Sequence, residues 1–281
     1  AANAVDLLLG GQGGADARVR VALVPYAEAV NVGALAASTV FVEEEGGPDL
    51  PPPHDAPYWV SVPARPDSCA MERKLQDGKA DVSDDGPDKV RTNVVTVGSG
   101  RRATTTTYNY PALVNRSDHK SVNCPAASLV PLTSNKSKLD AVINDFEASG
   151  YTAGGIAAQW GYYMLSPHWR AAIRDAGLGD GPADHDRRQV AKVAILMTDG
   201  AFNTAFAGVP AWETPQMEQT TLSRGNAERI CARMRQDGIE IFTIGFALPP
   251  SEGGNARTVL ENCASPDTGT VRHFFDVSTG E

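Results

Sequence analysis

The chain has 281 residues, of which 42% are hydrophobic and 21% charged. That is an ordinary globular composition, long enough for one large core or two smaller ones. The net charge of −9 argues against nucleic acid, which needs a basic face, and against docking on anionic lipid.

The first ten residues read as a helix ended by Gly10-Gly11. The stretch is too short for a signal peptide and has no basic start. The sequence does not begin with Met, and the expectation is that a longer protein starts upstream. No apolar run reaches the roughly 18 residues of a membrane span. The Gly-rich segment 10–14 follows a helix rather than a strand, so it does not serve as a dinucleotide loop.

Residues 18–24 are expected to form a strand. They begin in alternation and become continuously apolar, as an interior strand does. From about residue 43 to 133 the chain is rich in Pro, Gly, Asp and Thr and lacks a long helical period. This reads as a large irregular insertion into a single domain spanning 1–281, with a hairpin at Val90–Val97.

Regularity returns at Ser137. Leu139, Val142, Ile143 and Phe146 make the stripe of an amphipathic helix, with Ser137 and Asp140 as a capping pair and Gly150 as the stop. A second helix past Thr152 carries the stripe Ile156, Trp160, Tyr163 and Met164. Ser166-Pro167 opens a short third helix over 168–176. Then come a strand at 192–198, a helix marked by Ala227, Ile230, Cys231 and Met234, a strand at 239–246, a helix at 255–263 and a strand at 271–275. The alternation predicts an α/β fold, with a mostly parallel central sheet and helices on both faces.

Cys69, Cys124, Cys231 and Cys263 form no C-x-x-C pair and lie at no zinc-ligand spacing. The even count and wide separations suggest two disulfides and an oxidising compartment. Four buried thiols in a reducing one is the alternative. Of three pairings, Cys69–Cys124 and Cys231–Cys263 keep each bridge within one region of the chain. His54, His119, His168, His185 and His273 are scattered and read as surface or packing residues.

Asp199 carries the chemistry. It ends the apolar run 193–198 and precedes Gly200, which places a carboxylate at the C-terminal lip of a buried parallel strand. Asp before Gly also makes plain Asx-turns and helix caps. Thr152 offers a hydroxyl in a loop of small residues and is otherwise a candidate helix N-cap. Together, a hydroxyl and a carboxylate suit Mg²⁺, a hard ion that takes few protein oxygens and keeps several waters.

The strand 195–203, Ile-Leu-Met-Thr-Asp-Gly-Ala-Phe-Asn, resembles the Thr-Asp-Gly strand of von Willebrand factor A (VWA) domains. More narrowly, it resembles those of the TadG-like proteins of tight-adherence (Tad/Flp) pilus assembly. Segments 19–26 with 31–33, 150–152 with 160–167, and Cys231, 239–246 and Cys263 with Phe274-Phe275 agree in order. The resemblance implies a Rossmann-like fold with a metal-ion-dependent adhesion site (MIDAS). Thr152 and Asp199 would then be metal ligands, and Gly200 and Asn203 would shape the rim. The cofactor would be Mg²⁺, Mn²⁺ or Ca²⁺, and the partner a protein presenting Asp or Glu. The family's Asp-x-Ser-x-Ser loop and the central strand before it have no match in this sequence. Metal binding by this segment alone is therefore expected to be weak or absent. The strands at 18–24 and 192–198 should either pair directly or flank an open slot. The family further implies an exported protein, periplasmic or extracellular, that is membrane-anchored in full-length form and not an enzyme. A metal-independent scaffold and a metal-dependent hydrolase are the alternatives. Neither a nucleophile elbow nor a P-loop is present.

Overall fold

The computed structural model describes residues 2–10, 18–43, 68–117, 123–148, 150–210, 212–248 and 250–277. It is a mixed α/β protein. Its most regular part is the C-terminal half, where β9 (Val193–Thr198), β10 (Glu240–Phe246) and β11 (Phe274–Val277) form a parallel sheet in the order β11-β10-β9. Helices α6 (Thr220–Gln236) and α7 (Pro250–Cys263) supply the crossovers. Ala227, Ile230, Cys231 and Met234 are all buried, so the expected stripe of α6 faces the core. Gly238 ends that helix in the left-handed region at φ 87°.

The N-terminal half is organised differently. After helix α1 (Ala2–Leu9), β1 (Val21–Leu23) pairs antiparallel with β8 (Val130–Thr133), and its three residues are only partly buried. The expected interior parallel strand is thus half of a two-stranded ladder. The reason is that, among the described residues, no other strand pairs with it. β9 is likewise an edge. Its Val193 and Ile195 are 42% and 47% exposed, so the run read as fully buried is covered on fewer sides. β1 and β9 do not pair, and among the described residues no strand lies hydrogen-bonded between them.

The insertion is less irregular than its composition suggests. β2 (Val30–Asn31) pairs with β4 (Cys69–Ala70). Beyond the short helix α2 (Ala36–Thr39), β3 (Val40–Glu43) runs parallel to β7 (Val114–Ser117). β5 (Val90–Val97) is one arm of a hairpin whose other arm, β6 (Thr104–Pro111), begins with the Thr run. Residues 44–67 lie outside the described part. Buried Arg73 anchors the insertion. It donates to Asp81 Oδ2 at 2.7 Å and to the carbonyls of Asp85, Ala112 and Ser83, and it sits 5.1 Å from the Tyr163 ring centroid. A buried guanidinium is tolerable when its donors are matched in this way.

Helix α3 (Lys136–Asn144) is capped by Asn135, whose side chain accepts the Lys138 N–H, rather than by Ser137. It ends at Asn144, well before Gly150, so Phe146 falls outside it and is exposed. Helix α4 (Gly154–Leu165) is the central element. Ile156, Trp160, Tyr163 and Met164 are buried as the stripe predicts, and so are most residues on its other faces. Ser166 caps the turn that leads into α5 (Arg170–Asp175), accepting the His168 N–H. Helix α7 starts five residues earlier than expected, and β11 is displaced toward the C-terminus of its expected range.

Two disulfides, Cys69–Cys124 and Cys231–Cys263, are formed as the preferred pairing has them. No helix among the described residues is long and apolar enough to cross a membrane.

Candidate functional site

The parallel register brings Thr198, the last residue of β9, opposite Gly245. Asp199 therefore stands just past the C-terminal edge of the sheet, exposed to solvent. The turn behind it is fixed by Thr198, whose Oγ1 accepts the Gly200 N–H at 3.2 Å and lies 3.1 Å from the Gly200 carbonyl.

Thr152 reaches the same place from the N-terminal side of α4. A Cβ on Gly200 would lie 3.5 Å from Thr152 Oγ1, so the hydroxyl stands beside the turn, with space for about one carbon between them. The residue at the N-cap of α4 is Ala153, with no side-chain cap bond. The capping role open to Thr152 in the sequence is therefore not the one it takes. Its backbone is clasped instead by Asn203. Thr152 N donates to Asn203 Oδ1 at 2.9 Å, and Thr152 O accepts from the N–H groups of Asn203 and Thr204 at 3.0 and 3.2 Å. Asn203 thus joins the two loops, with its amide oxygen already used by Thr152 and Thr204. Gly200 keeps the approach narrow, and Phe202 packs against Gly154, where a Cβ would meet the ring at 2.4 Å.

Two residues at this site lie outside the expected set of ligands and rim residues. Tyr26, just after β1, donates its hydroxyl to the Met197 carbonyl at 2.7 Å and so ties β1 to β9 across the slot. The residue as a whole is only partly buried, yet burial around its phenol pushes it up to about 12. A hydrogen bond with Thr198 works against that shift, and the nearby Asp199 charge adds to it. Glu28 is buried, and its carboxylate accepts from Asn123 N and Nδ2 at 3.1 and 2.5 Å and from Tyr151 N at 3.3 Å. It thereby fastens the segment beside Cys124 to the loop that presents Thr152. Gly150, at φ 73°, has no room for a Cβ between Glu28 and Asn123. Tyr26 enters the sequence reading only as the end of segment 19–26 and Glu28 not at all, since each acts across more than 90 residues of chain.

The donor chemistry suits a hard divalent ion, and the number of donors does not. Thr152 and Asp199 offer one hydroxyl and one carboxylate, where Mg²⁺ takes about six oxygens. A second polar group lies past the far end of α4, a helix about 18 Å long at 1.5 Å per residue. It comprises Asp84, His185 and Asp237. His185 is one of the scattered histidines of the sequence and Asp84 lies in the insertion, and the two come together only through tertiary contact.

Comparison with protein families, with curated proteins and with solved structures finds no match to this chain.

Proposed function

We propose that this chain is a VWA-type binding domain of an exported protein resembling those of Tad/Flp pilus assembly, and that it binds a partner's Asp or Glu rather than catalysing a reaction. What supports this most is the placement of the Thr152 hydroxyl against the Asp199-Gly200 turn at the C-terminal edge of a parallel strand, where α/β sheets hold their ligands. Thr152 and Asp199 would hold a divalent ion, with Gly200 and Asn203 at the rim. When bound, the ion offers an open coordination position to a partner carboxylate. The remaining donors would come from water and from an Asp-x-Ser-x-Ser loop outside this sequence. Two disulfides favour the periplasm or the cell exterior as its compartment.

Calorimetry with Mg²⁺ on this segment is expected to show no micromolar binding, and a micromolar constant would contradict the incomplete cradle. With the loop supplied, retention on immobilised Asp- and Glu-bearing peptides should be abolished by EDTA and by Asp199→Ala. Retention that survives both would support a second reading, in which the domain is a metal-independent scaffold and the insertion makes the contacts. The Arg73 network favours that reading, because it ties Asp81 and the residue just after β6 to the Tyr163 ring of α4.

A further inference from the structure

Asp84 is a buried carboxylate with no Lys or Arg within ion-pairing distance among the described residues. Its side chain is 6% exposed, and its charged or polar neighbours are the imidazoles of His168 and His185 and the hydroxyl of Ser166. Ser166 Oγ donates to Asp84 Oδ2 at 2.6 Å. His168 Nδ1 lies 3.2 Å and His185 Nε2 3.9 Å from the same oxygen. A buried carboxylate needs partners that satisfy its oxygens and balance its charge.

Asp237, just beyond α6, completes the group. One ligand atom from each of Asp84, His185 and Asp237 lies within 4.8 Å of the other two. Tyr162 donates its hydroxyl to Asp237 Oδ2, and Arg233 Nε approaches the same oxygen at 3.3 Å. Both Asp side chains are thus held in place by neighbouring side chains, as ligands of metal sites are. Lys192 is close by, but its ammonium is committed to the carbonyls of Leu165 and Ala183 at 2.7 and 2.6 Å.

We propose that Asp84, His185 and Asp237, with His168 as the fourth ligand, form a site for a borderline transition-metal ion such as Zn²⁺. Two imidazoles and two carboxylates are a tetrahedral N/O donor set, with bond lengths near 2.0–2.2 Å and ligand atoms therefore roughly 3.4 Å apart. Two of the spacings given, 3.2 and 3.9 Å, are already close to that. His185, which comes from a loop and is 23% exposed, has room to adjust toward such a geometry. Bound there, the ion would tie the insertion, the turn after α4, the loop before β9 and the end of α6 to one point. The site is chemically distinct from the oxygen-only pair Thr152 and Asp199, and it does not depend on that reading.

The test is Zn²⁺ titration against a chromophoric chelator, with Co²⁺ absorption as the geometric readout. The wild-type chain should take up one Zn²⁺ and give the intense visible bands of tetrahedral Co²⁺. His185→Ala and His168→Ala should each weaken Zn²⁺ at least tenfold, while Asp199→Ala leaves it unchanged. Both His variants change partly or largely exposed side chains and should keep the wild-type circular dichroism without metal. No Zn²⁺ uptake by the wild type overturns the proposal. So does wild-type Zn²⁺ affinity in either His variant, or loss of the site in Asp199→Ala.

Discussion

Glu72 is fully buried beside Phe206, whose backbone N–H donates to its Oε2 at 3.1 Å, while Oε1 has no hydrogen-bond partner. Burial raises its carboxyl from 4.5 to about 6, against the opposing effects of the Phe206 hydrogen bond and the Lys74 charge. The folded state therefore keeps a proton that the unfolded chain releases between those values. Stability then falls as pH rises through the window and is fullest below it. The cost at neutral pH is about 2 kcal/mol. Glu72→Gln should remove the dependence, so the gap between variant and wild type in urea unfolding should change in the variant's favour from pH 4.5 to pH 7. Parallel stability curves would count against this assignment. Glu72 shows how far a residue's role can be read from sequence. The place of Asp199 at the edge of the sheet was legible because it ends an apolar strand. Glu72, Glu28 and Asp84 were not, because their environments are assembled from distant segments.

The same division holds for elements. The alternation from β9 through α6, β10 and α7 to β11 was legible because each element has its own period and pairs with a near neighbour in the chain. The pairings of β1 with β8 and of β3 with β7 were not, since they join strands separated by long stretches of chain. The edge strand β9 has a physical consequence. Glu240 N–H donates to the Lys192 carbonyl, so even-numbered residues of β9 face β10, and Val193, Ile195 and Met197 turn their backbone groups outward. Met197 O is taken by Tyr26, but among the described residues no strand covers Val193 and Ile195. An apolar open edge templates pairing with another chain, and a lysine on it blocks that pairing. Wild-type protein should thus show concentration-dependent association in sedimentation velocity. Ile195→Lys should reduce that association while shifting stability by no more than about 0.5 kcal/mol, as exposed substitutions do. A wild type that stays monomeric at all concentrations would show that the edge is covered.

At the scale of the whole molecule, the two disulfides fasten different parts. Cys231–Cys263 links α6 to α7 inside the core that packs on the parallel sheet, and both residues are essentially unexposed. Cys69–Cys124 links the start of the described insertion to the segment that Glu28 holds beside Thr152. There Cys69 is buried and Cys124 is partly accessible. The bridges close spans of 55 and 32 residues. By loop entropy, each stabilises the fold by about 4 kcal/mol. Their reduction kinetics should nonetheless differ, because thiol exchange needs access to a sulfur. Under mild reductant, alkylation followed by mass spectrometry should find Cys69 and Cys124 released first, with the far-UV spectrum of the parallel sheet and its helices retained. Cys231 and Cys263 should appear only at the rate of global unfolding. The first step should also loosen the loop that presents Thr152, since the Asn123 contacts to Glu28 adjoin Cys124. The hydrogen-exchange protection of the Tyr151 amide should therefore fall in that intermediate. Simultaneous release of all four thiols would mean that insertion and sheet unfold as one cooperative unit.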